Sequence, residues 1–194
     1  MIVGITGGMG CGKSAAARLF ERRGFQRIDS DALVREQVLV QPAVVAALRA
    51  RLGGEVLAPD GAVDRAALAR RVFADDAERL WLEALTHPLL LERWRQALAT
   101  APAAAWVIEV PLLFEKELEN WFDFTICVAC APDQQLARLE QRGLPHALAE
   151  QRISKQLPLA RKIELADFVL WNDGNVTFLQ DQVDKLIPAL QVAS

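Results

Sequence analysis

Cysteine, long apolar runs and an excess of positive charge are scarce or missing in this sequence. The three cysteines are an odd and small set, which favours reduced thiols. No uninterrupted apolar run reaches the ~18 residues that a membrane-spanning helix needs. The N-terminal residues also lack the basic segment and long apolar run of a secretory signal peptide. These absences lead us to expect a cytoplasmic protein without a membrane partner.

The charge balance is nearly even. The chain carries 22 Lys and Arg residues against 25 Asp and Glu residues, a net charge of −3. Because there is no general basic field, we expect no nucleic-acid partner. The 194 residues, 52% of them hydrophobic, are typical of a globular protein with one sizeable domain and room for a small insertion. The sequence does not determine the oligomeric state, and a monomer is compatible with it.

Cys127 and Cys130 have the C-x-x-C spacing that redox and metal sites use. They lie in the segment FTICVACA, which is typical of a buried strand. Residues three apart on a strand point to opposite faces of the sheet, so these two cannot share a ligand there. We interpret both as core residues.

Glycine is concentrated in one stretch, GITGGMGCGKSAAARLF, between Gly4 and Phe20. Its GGMGCGKS segment matches the P-loop pattern G-x-x-x-x-G-K-[ST] and lies between a predicted strand and a predicted helix, the context that supports the pattern. Glycines let successive backbone N–H groups turn towards one anion, and the helix N-terminus adds positive charge there. We expect nucleotide phosphates to bind at Gly8, Met9, Gly10, Cys11, Gly12, Lys13, Ser14 and Ala15.

Two side chains of the loop have separate expected roles. Lys13 reaches the β- and γ-phosphates, and the hydroxyl of Ser14 helps to hold Mg²⁺.

Short apolar runs alternate with helical patterns along the chain. Strands are predicted at residues 1–6, 25–29, 104–110, 124–131 and 167–172. Helices are predicted at residues 13–23, 133–142, 146–165 and 176–191, together with a mostly helical insertion from Ala32 to about Ala103. Within that insertion Pro88 is expected to end or kink a helix. The alternation predicts an α/β fold with a five-stranded parallel sheet, a P-loop core and a helical insertion.

Polar residues follow the predicted strands at the sheet edge where open α/β sheets bind ligands. Asp29 and Asp31 follow the second strand, Glu109 the third and Asn172 the fifth. We favour Asp31 as the group that orients an acceptor hydroxyl and takes its proton, the alternative being that Asp31 or Asp29 caps the next helix. Glu109 is either a contact of Mg²⁺ or its waters, or a charge just past a strand.

Arg138 and Arg142 share a helix face, because they are four residues apart. They supply positive charge to a transferring phosphoryl group or, alternatively, form a solvated basic face. The helix-breaking segment GLPH and the basic residues after it indicate a mobile lid over about residues 140–162. When closed, this lid would exclude water from the transferring phosphoryl group. His87, a lone histidine, is by itself more typical of a structural residue.

Further motifs follow the P-loop in order: IDSDALVRE, the run around Asp64-Arg65, LEALTHPLL, VPLLFE, the Arg138 and Arg142 pair, Gln156, Lys162 and ADFVLWNDG. In this combination the chain resembles the dephospho-CoA kinase family over most of its length. A P-loop alone indicates only nucleotide binding, whereas the ordered set is much more specific.

The resemblance implies transfer of the γ-phosphoryl group of ATP to the ribose 3′-hydroxyl of 3′-dephospho-CoA. It implies a P-loop core at residues 1–31 and 104–194, a helical acceptor domain at 32–103 and a lid at about 140–162. By position, Asp31 is the base, Arg138 and Arg142 handle phosphates, and Asn172, Gly174 and Asn175 approach the adenine. The acceptor is expected at Asp31, His87, Leu112 and Lys162. Ser14 and Glu109 are the expected contacts of Mg²⁺, where the family often has Asp at the position of Glu109.

Two other functions remain open. Another small-molecule P-loop kinase, acting on a nucleoside, nucleotide or sugar acid, would share the core, and only the insertion discriminates. A nucleotide-dependent switch is less favoured, because guanine-specific switches use N-K-x-D and D-x-x-G segments. Neither occurs in this sequence, and the segment at Asn120–Asp123 lacks the Lys.

Overall fold

A parallel five-stranded sheet with the strand order β2-β3-β1-β4-β5 forms the centre of the computed structural model, which describes residues 1–193. This confirms the predicted α/β class and strand number. The strands are β1 (Ile2–Gly7), β2 (Gln26–Asp29), β3 (Trp106–Glu109), β4 (Phe124–Ala129) and β5 (Phe168–Trp171).

The helices occupy the connections between the strands. They are α1 (Lys13–Arg22), α2 (Ser30–Leu33), α3 (Pro42–Leu52), α4 (Arg65–Ala74), α5 (Asp76–Thr100), α6 (Pro132–Gln141), α7 (His146–Ser154), α8 (Leu159–Leu165) and α9 (Val176–Ala193). A π-helical turn, Val34–Val38, continues α2, and short 3₁₀ turns lie at Gly54–Val56, Phe114–Lys116 and Glu119–Trp121.

The central strand β1 is buried from Val3 to Gly7 and mostly apolar, because both of its faces are covered. Val3 and Ile5 are fully buried and belong to a core that includes Phe20 of α1 and Leu179 of α9. Fully covered parallel strands read as continuous apolar runs, which is why the sequence pattern identified them. In the parallel register Asp29 lies opposite Glu109, so the ends of β2 and β3 reach the same edge of the sheet.

The chain divides into two compact units. The first combines Met1–Asp29 with the chain from Ala103 onward and holds the sheet, and the second is Ser30–Pro102. The second unit has its own core, in which α3, α4 and α5 contribute apolar side chains that include Leu48, Leu68 and Leu82. Asp31 belongs to this second unit.

Two prolines behave differently from each other. We predicted one helix over 146–165, but α7 ends at Ser154 and α8 begins at Leu159, directly after Pro158. Proline disfavours helical backbone at the residue before it, so the helix breaks there. In contrast, α5 does not end at Pro88. Proline removes one helical hydrogen bond, and the buried Leu90 and Trp94 beyond it offset that loss.

The helices of residues 1–193 range from the four residues of α2 to the 25 residues of α5. None of them combines the length and the apolar character that a membrane crossing needs.

Candidate active site

The P-loop joins β1 to α1 and turns at its glycines. Gly10 and Gly12 have φ angles of 82° and 97°, in the left-handed region that favours glycine. Space is a second constraint, because a Cβ on Gly12 would overlap Nδ2 of Asn172 and a Cβ on Gly8 would overlap Nε2 of Gln135. Both positions therefore favour glycine, the residue that lets a backbone approach a ligand closely.

The first turn of α1 presents the groups that attract an anion. The N–H groups at the start of a helix precede its regular hydrogen bonds, and the helix dipole is positive at this end; the N–H of Ala15 already donates to the carbonyl oxygen of Gly12 at 3.0 Å. Nζ of Lys13 donates to the carbonyl oxygens of Gly7 and Gly8 at 3.1 and 3.0 Å, so the ammonium lies over the start of the loop. Ser14 and Ala15 follow in the same turn and are exposed.

Two amide side chains from distant parts of the chain support the P-loop backbone. Nδ2 of Asn172 donates to the carbonyl oxygen of Cys11 at 2.8 Å, and Nε2 of Gln135 donates to that of Met9 at 2.7 Å. Gln135 lies on α6 and is buried. Asn172 was among the predicted site residues, whereas Gln135 was not, since no local sequence signal distinguishes it from other helical glutamines.

Arg138, also on α6, uses one of its two terminal guanidinium nitrogens for a hydrogen bond within the protein. Its Nη2 donates to the carbonyl oxygen of Asn172 at 2.8 Å. Its Nη1 is buried and has no hydrogen-bond partner among residues 1–193. A buried guanidinium nitrogen without an acceptor costs free energy, and a phosphate oxygen is the acceptor that Arg fits best. Arg142 lies one turn further, just past the end of α6, and is exposed.

The loop between β5 and α9 is ordered by its own polar groups. Oδ1 of Asp173 accepts from the backbone N–H of Ala131 at 2.6 Å, which ties the loop to the end of β4. Oδ1 of Asn175 accepts from the N–H of Phe178 at 2.9 Å in the first turn of α9. Asn172, Gly174 and Asn175 therefore lie in one fixed segment beside the P-loop.

Glu109 is buried at the end of β3, where it is paired with a cation. Nη1 of Arg27 donates to its Oε1 at 2.6 Å and lies 3.9 Å from Oδ2 of Asp29. Burial works against the charge of Arg27, yet the hydrogen bond and charge of Glu109 raise the pKa of the guanidinium above its ordinary value. The pairing was not expected from the sequence. Among residues 1–193 no group of three or more His, Cys, Asp or Glu residues is arranged to hold a metal ion.

Lys162 of α8 is fully buried and is paired within the protein. Its Nζ lies 2.8 Å from Oε1 of Glu115 and donates to the carbonyl oxygen of Pro111 at 2.8 Å. Oε1 of Glu115 also accepts from the N–H of Leu157 at 3.0 Å. This cluster joins the loop after β3, which contains Leu112, to the start of α8. The contribution of Glu115 was missed in the sequence.

The predicted lid, about residues 140–162, contains α7, the connection from α7 to α8 and the first residues of α8. His146 at the start of α7 lies 2.6 Å from Oε1 of Glu140 through Nδ1 and 3.6 Å from Oε1 of Glu150 through Nε2. The hydrogen bond with Glu140 raises the pKa of His146 above its ordinary value. Since His146 is exposed, this interaction joins α6 to α7 at the protein surface.

The second unit contains Asp31, the second residue of α2, which is exposed, and His87, which is partly buried on α5. It also contains a cavity of about 460 Å³ with a mixed lining. Charged walls come from Arg35, Arg65 and Asp60, and apolar walls from Leu39, Val40, Val45 and Val63. Neither Asp31 nor His87 lines this cavity.

With this geometry in view, we compared the chain with known proteins. The family model for dephospho-CoA kinase matches residues 1–177. The dephospho-CoA kinase of Thermosynechococcus vestitus is 43% identical over 190 residues, which cover 97% of this chain and 94% of that protein.

Solved structures give the same picture of the fold. The crystal structure of TT1252 from Thermus thermophilus is 33% identical in sequence and superimposes with a TM-score of 0.84, covering 98% of this chain and 97% of that one. The dephospho-CoA kinase from Campylobacter jejuni, at 23% identity and a TM-score of 0.71, covers 97% and 96% and shares the fold.

Proposed function

We infer the reaction of this chain from its family, because the chain belongs to the dephospho-CoA kinases. It is an ATP-dependent kinase that transfers the γ-phosphoryl group to the ribose 3′-hydroxyl of 3′-dephospho-CoA, giving coenzyme A and ADP. The observation that carries this conclusion is the family match over residues 1–177, which includes the P-loop. The role of each residue in the reaction is our proposal, and we argue it from the geometry above.

The P-loop binds the donor phosphates. We expect its backbone N–H groups and the N-terminus of α1 to surround one anion. Lys13 then moves from the carbonyl oxygens of Gly7 and Gly8 to the β- and γ-phosphates. The exchange is favourable because two neutral acceptors are replaced by charged ones. Gly12 allows the close approach, and Asn172 holds the loop in place.

Arg138 stabilises the charge of the phosphoryl group during transfer. Its Nη1 is buried and has no hydrogen-bond partner within residues 1–193, whereas its Nη2 donates to the carbonyl oxygen of Asn172. Because the guanidinium of Arg138 is already oriented, it loses little entropy when the anion binds. Its attraction for the charge of the transition state is therefore not offset by a cost of ordering the side chain. Arg142 supplies a second positive charge to the phosphates, and the segment with Asn172, Gly174 and Asn175 contacts the adenine.

Mg²⁺, when bound, would supply positive charge against the ATP phosphates. The hydroxyl of Ser14 is the proposed protein ligand, and the remaining ligands are phosphate oxygens and water, which suits a cation that keeps several waters. Glu109 is proposed to act on the waters of the metal. Its pairing with Arg27 leaves it as a charged hydrogen-bond acceptor and reduces the net charge that it can offer.

The acceptor side depends on Asp31. The carboxylate takes the proton of the 3′-hydroxyl as the ribose oxygen forms its bond to the γ-phosphorus and the bond to ADP breaks. Asp31 is exposed at the start of α2, where its carboxylate is accessible. His87, Leu112 and Lys162 are proposed to bind the acceptor, with Lys162 acting through Glu115 and the carbonyl oxygen of Pro111.

The cavity of the second unit suits part of the acceptor. Its volume of about 460 Å³ lies within the ~300–1,000 Å³ of small-molecule sites. Arg35 and Arg65 offer positive charge to a diphosphate, and the apolar walls offer contact to a pantetheine arm. This lining is compatible with an acceptor that has an anionic head and a long flexible arm, although Asp60 in the same lining offsets part of the positive charge.

The lid at about residues 140–162 is proposed to close over the phosphates and keep water out, since water competes as an acceptor. The other small-molecule kinase activities are not favoured by the family match. We propose a cytoplasmic location, with 3′-dephospho-CoA as the small-molecule partner.

The acceptor preference tests the assignment. Initial rates of ADP formation are measured with Mg-ATP and equal concentrations of 3′-dephospho-CoA, adenosine and shikimate. We expect kcat/KM for 3′-dephospho-CoA to exceed the other two by at least two orders of magnitude, a discrimination that unpaired polar groups of the site can supply. A higher kcat/KM with another acceptor refutes the assigned acceptor. It does not contradict the interpretation of the loop as a phosphate-binding P-loop.

A further inference from the structure

Two buried thiols face each other at the P-loop. Sγ of Cys130, just past the end of β4, donates a hydrogen bond to Sγ of Cys11 in the loop, at a distance of 3.3 Å. The two residues are 2% and 0% exposed. Both cysteines are free thiols in this state. They meet because β4 pairs with β1 and Gly7 lies opposite Val128, which brings the chain after β4 alongside the loop.

We propose that Cys11 and Cys130 are a modification site, which hydrogen peroxide converts into a disulfide, and that the kinase is inactive until a thiol reduces it. The inactivation part rests on the proposed role of the P-loop. The site is specific to the pair, because Cys127, the third cysteine, has no hydrogen bond to either sulfur among those seen in residues 1–193.

The oxidation balances in two steps. The sulfur of Cys11 attacks one oxygen of hydrogen peroxide, the O–O bond breaks, and Cys11 becomes a sulfenic acid while the released hydroxide takes the thiol proton and leaves as water. The sulfur of Cys130 then attacks the sulfenic sulfur, the S–O bond breaks, and a second water leaves. Two thiols are oxidised by two electrons, and one peroxide is reduced to two waters.

The surroundings favour Cys11 as the first sulfur to react. The hydrogen bond from Cys130 lowers the pKa of Cys11, with help from the charge of Lys13, although burial opposes the shift. The same hydrogen bond raises the pKa of Cys130. Because the thiolate is the nucleophile, a lowered pKa increases the reactive fraction of Cys11.

Access and geometry both depend on the glycines beside Cys11. Gly10 and Gly12 flank it with positive φ angles, and glycine backbone opens locally at little cost. A disulfide needs its sulfurs at about 2.05 Å, so the two sulfurs must approach by roughly 1.2 Å from the observed 3.3 Å. The Cys11 backbone shares this movement and loses alignment with the phosphates. Misplacement of about 1 Å costs up to ~10²-fold in rate.

Mass spectrometry tests the bond itself, independently of any kinase activity. Trypsin releases Cys11 in the peptide 1–13, and it releases Cys127 and Cys130 together in the peptide 117–138. After peroxide treatment we expect these peptides to be joined in the native protein and in Cys127→Ser. We expect no joined peptide in Cys130→Ala, and dimedone, which traps sulfenic acids, should then label Cys11. A bond between Cys11 and Cys127, or no bond under conditions that oxidise free glutathione, overturns the proposal.

Kinase assays on the same samples test the consequence. We expect activity to fall at least tenfold in parallel with the joined peptide, and dithiothreitol to restore it. Cys127→Ser should behave like the native protein. Cys130→Ala should keep its basal activity before peroxide is added and show no joined peptide at any peroxide dose. Full activity in a sample that is completely joined contradicts the claim of inactivation even though the bond forms.

Discussion

Two constraints coincide at Gly12: the backbone has a φ of 97°, and Asn172 occupies the space that a side chain would need. We predict that Gly12→Ala weakens ADP binding at least tenfold. The left-handed backbone would cost roughly 1–2 kcal/mol with a side chain present, and the contact with Asn172 would displace the loop from the phosphates. Isothermal titration measures the affinity. Gly24→Ala is the matched control, since Gly24 has a φ of 94° with open space around it and should lose stability without losing affinity. Equal effects at the two glycines would count against a phosphate cradle.

Asp31 provides the second prediction at this scale. Asp31→Asn keeps the size of the side chain and removes the base, so kcat should fall by about 10²–10⁴-fold, the usual contribution of general-base catalysis. The dissociation constant of ATP should stay the same. Steady-state kinetics and equilibrium binding separate the two quantities. If kcat stays within a few-fold of its native value, Asp31 is not the base.

Individual residues differ in how far the sequence could predict them. Lys13 and Asn172 belong to local motifs, and the structure places both at the P-loop. Gln135 has no local signal, and the C-x-x-C spacing at Cys130 indicates Cys127 rather than Cys11 as its partner. Each contributes through a contact with a residue more than 100 positions away, Met9 and Cys11 respectively. Such contacts depend on the order of strands in the sheet, which a single sequence does not specify directly.

At the scale of elements, the strands were predicted to within two residues at each end, because buried parallel strands are continuous apolar runs. The helices were less certain where prolines occur. The helical pattern is interrupted before Pro158, which directly precedes α8, whereas α5 continues through Pro88. Both prolines have the same local chemistry. The difference depends on packing: burial continues beyond Pro88 on α5. Packing of this kind is tertiary information.

The link between α8 and the loop after β3 leads to a prediction about stability. Lys162→Met leaves the largely buried carboxylate of Glu115 without its cationic partner. Removal of one member of a buried ion pair lowers the free energy of unfolding by about 3–5 kcal/mol. The double variant with Glu115→Gln should recover part of this loss. Urea unfolding of the native protein and the three variants gives the coupling free energy. Additive losses would mean that the pair contributes no direct coupling.

The contact between α6 and α7 leads to a prediction about pH. The pKa of His146 is raised above its ordinary value of 6.5, first by the hydrogen bond with Glu140. The stabilisation is therefore complete below the unfolded pKa and is lost as pH rises through the higher folded pKa. An NMR titration should place the midpoint above 6.5, and Glu140→Gln should lower it. Glu150→Gln is the matched control, with a smaller effect expected from its longer distance of 3.6 Å. Equal shifts in both variants would contradict the assigned cause.

For the whole molecule, the ordered motifs predicted the family, and the match over residues 1–177 confirmed it. The structure divides the chain at Asp29 and Ser30, so Asp31 belongs to the helical unit and the P-loop belongs to the other. The sequence suggested a helical insertion because helical patterns filled the interval between two strands. It could not show a cavity in that unit, because a cavity depends on how α2 to α5 pack, and their apolar stripes allow more than one arrangement.

The most direct test of the central claim is to identify the product. The purified protein is incubated with Mg-ATP and 3′-dephospho-CoA, and the products are separated and fragmented by mass spectrometry. We predict ADP and, in equal amount, a product one phosphoryl group heavier than the acceptor, with that group on the ribose 3′-oxygen. ADP without a phosphorylated acceptor, or a phosphoryl group on another oxygen, would contradict the account.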